Sequence, residues 1–191
     1  DITFDHFTMD LNGANNNINT IYNNAFYMFG VVTNATWEHM TFKNMAGQQT
    51  IRVGKDTAAG FGNNIKVSYC TFDTFGIGGG WSTSDISVLF IEANNINISN
   101  NVFTNPSFTL NASLGHTAIE VNGDKSTLIF GNSFNYVQLP ILVDSIFKDN
   151  FNTRIVSNNF TQTNEMIAFD SGSTFAQSAV TVAANQFMST F

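Results

Sequence analysis

The sequence predicts an all-β chain wound as a right-handed parallel β-helix, and three observations carry that expectation. An apolar residue, four residues and then a large apolar anchor recur seven times along 191 residues. The pairs are Phe4/Met9, Trp37/Phe42, Val67/Phe72, Ile98/Phe103, Ile129/Phe134, Ile155/Phe160 and Val182/Phe187, with anchors 33, 30, 31, 31, 26 and 27 residues apart. A fixed period of roughly 20–50 residues marks a fold in which no unit can bury its own apolar face. Around the copies apolar and polar residues alternate, as in Ile96-Asn97-Ile98-Ser99, which is the two-residue period of a half-buried strand. Finally, Asn stands two residues before the anchor in the last four copies, at Asn101, Asn132, Asn158 and Asn185.

Each repeat begins with a strand carrying the first member of the pair, such as Ile65 and Val67 set against polar Lys66 and Ser68. A polar break follows, then a short strand carrying the anchor. A third apolar segment comes before the next copy: Ile51-Arg52-Val53, Leu89-Phe90-Ile91, Ile119-Glu120-Val121, Ile141-Leu142-Val143 and Ile167-Ala168-Phe169. Thr, Val, Ile and Phe favour strands throughout, and helical spacing fits no useful length. Three strands per turn give about seven coils of 26–33 residues in one domain over residues 1–191. At about 4.8 Å per coil the rod would be roughly 30–35 Å long. Stacking would turn the Asn column into an internal amide ladder and pile the Phe anchors on one another. Neither end shows a polar cap, so the chain is expected to be a segment of a longer protein.

Composition narrows the partners. Hydrophobic residues make up 43% and charged residues only 11%, so amides and hydroxyls supply most of the polar surface. Net charge is −7 with seven Lys and Arg scattered along the chain, which argues against nucleic acid and anionic membranes, both of which need clustered cations. No apolar run approaches about 18 residues, so no membrane insertion is expected. Cys70 is the only cysteine; it stands two residues before anchor Phe72 and is expected to be a buried, inert thiol.

The phrases Asn94-Asn95-Ile96-Asn97-Ile98-Ser99-Asn100-Asn101-Val102-Phe103 and Ile155-Val156-Ser157-Asn158-Asn159-Phe160 resemble the coil signature of right-handed parallel β-helices of the pectin-lyase-like superfamily. The resemblance covers nearly the whole chain and matches no single family's catalytic motif. It implies a carbohydrate-active protein, among polysaccharide lyases, glycoside hydrolases, epimerases and phage tailspikes, on an extracellular or virion surface. Fold does not by itself settle function.

Where chemistry could sit follows from the stacking. If Ile91, Val121, Val143 and Phe169 point inward, the next residues, Glu92, Asn122, Asp144 and Asp170, face outward or into the turn. Arg52, Phe90, Glu120, Leu142 and Ala168 lie on the other side of the inward residue. Glu92, Glu120, Asp144 and Asp170 then form an acidic strip on consecutive coils, and rungs about 5 Å apart would bring carboxyls close enough to shift each other's protonation. Glu92, Glu120 and Asp144 are the candidates for acid, base or nucleophile on a glycosidic bond. Trp81, His116, Arg52 and Asp170 are the candidates for holding the sugar. Elaborated connections over 54–64, 76–85 and 104–116 would build the binding face.

A second patch stacks Asp5 on Glu38, His6 on His39 and Tyr69, and Asp10 on Lys43 and Asp73, a mixture suited to a proton shuttle. A metal held by His6, His39 and acids is the weaker reading, because no compact zinc or calcium spacing exists; no cofactor and no metal are expected. Outward apolar residues Leu128, Phe130, Val156 and Ala183, with Phe90 and Leu142, imply a covered face. A long loop or a second subunit, as in a homotrimer, would cover it. The rival to an enzyme acting on a polysaccharide or oligosaccharide is a non-catalytic structural or glycan-binding shaft. A lyase or an intramolecular transferase is a third reading. Arg52 and Lys55 on one coil keep the lyase in play, since uronate chemistry needs cations.

Overall fold

A computed structural model describes residues 1–12, 24–45, 49–54, 62–75, 86–105, 116–122, 125–145, 149–170 and 176–188. Among them there is no helix; the chain is a parallel β-helix. The first sheet stacks β1 (Ile2–Asp5), β4 (Thr33–Glu38), β7 (Gly62–Ser68), β10 (Ala93–Ser99), β13 (Thr127–Phe130), β17 (Thr153–Val156) and β21 (Thr181–Ala183). The second stacks β2 (Thr8–Asp10), β5 (Thr41–Met45), β8 (Thr71–Phe75), β11 (Val102–Thr104), β14 (Ser133–Asn135), β18 (Asn159–Thr161) and β22 (Gln186–Met188). The third runs β3 (Phe26–Met28), β6 (Ile51–Val53), β9 (Ile86–Ile91), β12 (His116–Asn122), β15 (Leu139–Asp144) and β19 (Ile167–Asp170). Two short strands, β16 (Asn150–Phe151) and β20 (Gln177–Ser178), pair beside them.

The bend from the first sheet into the second is built the same way seven times. A left-handed residue ends each first-sheet strand: His6, His39, Tyr69, Asn100, Gly131, Ser157 and Ala184, with φ between 52° and 65°. One such residue turns the chain sharply without a loop. The next residue points inward, and from Asn101 onward it is Asn. Asn132 Nδ2 donates to the Ile98 carbonyl at 2.9 Å and to Asn158 Oδ1 at 3.0 Å. Its own Oδ1 accepts from the Asn101 backbone N–H and Nδ2, both at 3.0 Å. The ladder thus satisfies the buried polar groups of the bend coil after coil. Beside it, rings from Phe42 through Phe187 stack with centroids 4.8–5.1 Å apart and planes within 17° of parallel.

The expectation of about seven coils is corrected by burial. In four passes, β4 to β15, inward residues from all three sheets, such as Trp37, Val67, Ile98, Ile129, Val53 and Val143, are sealed from solvent. The first pass is open at Phe4 and Met9, the sixth exposes Phe169, and the last exposes Val182 and Phe187 and adds no strand to the third sheet. About four turns therefore enclose the core, because an end coil has a neighbour on one side only.

Candidate active site

From β6 to β12 the third sheet buries both of its faces. Its inner face carries Ile51, Val53, Leu89, Ile91, Ile119, Val121, Ile141 and Val143. Its outer face carries two rows fixed by the register. One row runs Tyr27, Arg52, Phe90, Glu120, Leu142, Ala168. The other, one step past the inward residues Val53, Ile91, Val121, Val143 and Phe169, runs Gly54, Glu92, Asn122, Asp144, Asp170. Both rows match the alignment expected from sequence.

Burial is where the outer face departs from expectation. Arg52 is 5% exposed, Glu92 0%, Glu120 4% and Asp144 3%. Four charged side chains on one face are held out of water, although charged residues are rarely so buried and the transfer is costly unless they are paired and hydrogen-bonded. Arg52 lies between two rings, its guanidinium carbon 5.2 Å from the Tyr27 centroid and 5.0 Å from that of Phe90, and Nη1 donates to Gln49 Oε1 at 3.2 Å. Ser87 Oγ donates a short hydrogen bond to the Glu120 carboxylate. Strict alternation would put Ser87 and Glu120 on opposite faces. Val88 and Ala118 join Leu89 and Ile119 in the core, so the alternation slips by one residue there and swings Ser87 outward.

Glu92 is seated against Gly54, its neighbour in the row. Gly54 has φ +116°, and a Cβ there would overlap the Glu92 side chain. Between Glu92 and Asp144 stands Asn122, 1% exposed, whose Oδ1 has no hydrogen-bond partner. Ser145 Oγ, beside Asp144 and fully buried, also has none. On the outer face, therefore, the Asn122 amide oxygen is a buried acceptor with unused capacity between two carboxylates.

The expected residues divide as follows. Glu92, Glu120, Asp144 and Arg52 come together on this face. Asp170 continues the row one rung beyond Asp144 but is exposed. His116 opens β12, opposite Ile86 and four residues before Glu120. Trp81 lies outside the described residues, as do the connections over 55–61 and 106–115. The strip is not one column of touching acids: Asn122 separates Glu92 from Asp144, and Glu120 lies in the other row. Sequence reasoning missed Ser87 and Gly54. It also missed Tyr27 and Phe29, which are 47% and 61% exposed and pack edge to face at 5.8 Å at the head of the rows. Extending the third-segment alignment back to Phe26-Tyr27-Met28, and one residue on to Phe29, would have found both rings.

The second patch forms as aligned. Asp5 is the rung partner of Glu38, and Asp10 that of Lys43 and then Asp73. His6 stacks on His39 at 4.4 Å and His39 on Tyr69 at 5.3 Å. Lys66 Nζ meets Glu38 Oε2 at 2.8 Å. Farther along the first sheet, a groove of about 320 Å³ is lined by Asn34, Thr36, Asn64, Lys66, Asn95 and Asn97.

No family model, curated protein or solved structure matches the chain. Among the described residues no helix is long and apolar enough to cross a membrane.

Proposed function

We propose that the outer face of the third sheet binds a polysaccharide and cleaves its glycosidic bonds by paired carboxyls. The observation that carries the reading is the confinement of four buried charged residues, with the unpartnered Asn122 amide oxygen, to that one face. Burial and neighbouring charges gather ionisable groups in this way at active sites. In this reading Glu92, Glu120 and Asp144 supply the acid and base. One protonated carboxyl gives its proton to the bridging oxygen as the bond to the anomeric carbon breaks. A second carboxylate takes a proton from the attacking water. Glu92 and Asp144 are two rungs apart, about 9–10 Å along the rod, and Glu120 is about 8 Å from each across the rows. If the carboxyls keep this backbone spacing, it suits inversion, which needs room for water, better than the ~5 Å of a retaining pair. Tyr27 and Phe29 offer exposed apolar ring surface to a sugar at the end of the rows; Arg52 and Asn122 Oδ1, buried in this structure, would meet its hydroxyls or carboxylate only once what covers this face is displaced. The same reading places the chain with the pectin-lyase-like β-helices and on an extracellular or virion surface.

The test is a panel of polysaccharides with products read by mass spectrometry and anomeric NMR. Expected are new reducing ends of inverted configuration, with Glu120→Gln and Glu92→Gln each lowering the rate by about 10²–10⁴ while circular dichroism is unchanged. Products absorbing as unsaturated uronates would replace hydrolysis by elimination. Full activity in both variants would remove this face from the chemistry.

A second reading, a non-catalytic glycan-binding shaft, is favoured by the first-sheet groove, whose lining includes the exposed Asn34, Asn64 and Asn95. Binding on a glycan array that Asn64→Ala weakens, with no product formed, would select it. The apolar strip of Leu128, Phe130, Val156 and Ala183 on the same sheet supports self-association, with a homotrimer as the assembly to look for.

A further inference from the structure

We propose that Asp5, His6 and His39 form a binding site for a divalent transition ion such as Zn²⁺, on the bend between the first two sheets. This is independent of the third-sheet reading. The three side chains offer one donor atom each, all within 4.8 Å of one another. Asp5 Oδ1 lies 2.5 Å from His6 Nδ1 and 3.1 Å from His39 Nδ1. Ligands around a tetrahedral ion with bonds of about 2.0–2.1 Å are about 3.3 Å apart, so seating an ion opens the two oxygen–nitrogen edges by roughly 0.8 and 0.2 Å and closes the remaining edge, at most 4.8 Å long, by no more than about 1.5 Å.

The fold brings the two imidazoles together. His6 and His39 are equivalent residues of adjacent coils, and both take the left-handed conformation, with φ of 55° and 52°. Their backbones are set by the rod, and their rings stack at 4.4 Å. All three side chains are exposed, so the rings can turn their Nδ1 lone pairs to a common point at little cost. Binding exchanges the Nδ1–H···Oδ1 hydrogen bonds for metal bonds: each Nδ1 gives its proton to solvent, and each ligating ring carries a single proton on Nε2, reached by a change of tautomer from the neutral ring or by net loss of a proton from the imidazolium. Two imidazoles and one carboxylate make a donor set suited to zinc and its neighbours rather than to calcium or magnesium, which prefer oxygen. Glu38, the rung partner of Asp5, adds negative charge, although its carboxylate is engaged by Lys66 at 2.8 Å. Three protein ligands leave a fourth position for water or a ligand atom.

Calorimetric titration of the whole chain with ZnCl₂ at pH 7.5, with histidine-ring NMR, tests the site. Expected is one ion per chain, with shifts on the His6 and His39 rings. His6→Asn and His39→Asn should each weaken binding at least tenfold. Asn suits both positions, because Asn100 holds the same bend with φ 57°, so these variants keep the fold. Absence of binding up to millimolar Zn²⁺, or equal affinity in both variants, would overturn the proposal.

Discussion

At Gly54 the backbone takes φ +116° directly opposite the Glu92 side chain, a combination open only to glycine. Gly54→Ala is expected to cost about 1–3 kcal/mol from strain alone, with displacement of Glu92 in addition. Gly131 gives the contrast. Its φ of 65° is shared by Ser157 and Ala184 in the same column, and a Cβ there meets only the Asn100 side chain. Gly131→Ala should cost about 1–2 kcal/mol, so urea melts of the two variants should rank them in that order. Cys70 is a second residue-scale case. Burial is the leading cause that pushes its thiol from 9.0 to about 11. Its folded value is the higher one, so the unfolded chain ionises first as pH rises. Stability should then fall between pH 9 and 11, and a thiol reagent at pH 8 should react only after unfolding. The inert thiol was legible from its place before Phe72. The fit of Gly54 against Glu92 was not, because it needs a backbone angle as well as a register.

The asparagine ladder and the phenylalanine stack work as elements. Asn132 satisfies the Ile98 carbonyl and the amides of Asn101, and leans on Asn158. Asn132→Ala removes the side-chain partner of two buried backbone groups, the Ile98 carbonyl and the Asn101 N–H, at about 1–3 kcal/mol each, so a total loss of about 2–6 kcal/mol is expected from chemical denaturation. Phe103→Ala opens a cavity between Phe72 and Phe134 and should cost about 3–5 kcal/mol, whereas Val102→Ala, next to it but 42% exposed, should change stability by less than about 0.5 kcal/mol. These elements could be read beforehand because identical residues recur at a fixed interval. The slip at Val88-Leu89 could not. In Val88-Leu89-Phe90-Ile91 every residue is apolar, so alternation gives no face, and only the Ser87–Glu120 hydrogen bond and the core position of Val88 decide it.

For the molecule as a whole, the two ends and the third-sheet face differ from the enclosed middle. Phe187, Val182 and Phe169 at one end and Ile2 at the other are exposed. Such ends carry both unsealed apolar surface and open strand edges. Phe187→Ser should therefore be far milder than Phe103→Ser, and urea melts of the pair would check this. If the first-sheet apolar strip mediates assembly, light scattering should show an oligomer that Phe130→Asp disperses; a monomer in both would assign that strip to nothing but surface.

The sequence by itself determined the winding, the three strands per turn, the two outer rows and the columns of Asn and Phe. Each of these is periodic, and a register repeated along the chain can be read by alignment. Tertiary structure alone decided that the carboxylates are buried and not solvated, that Asn122 parts Glu92 from Asp144, and that Asp5 lies within reach of both histidines. Burial and the distance between side-chain atoms depend on what packs over a face and on which rotamer each coil permits, and neither is written in the spacing of residue types.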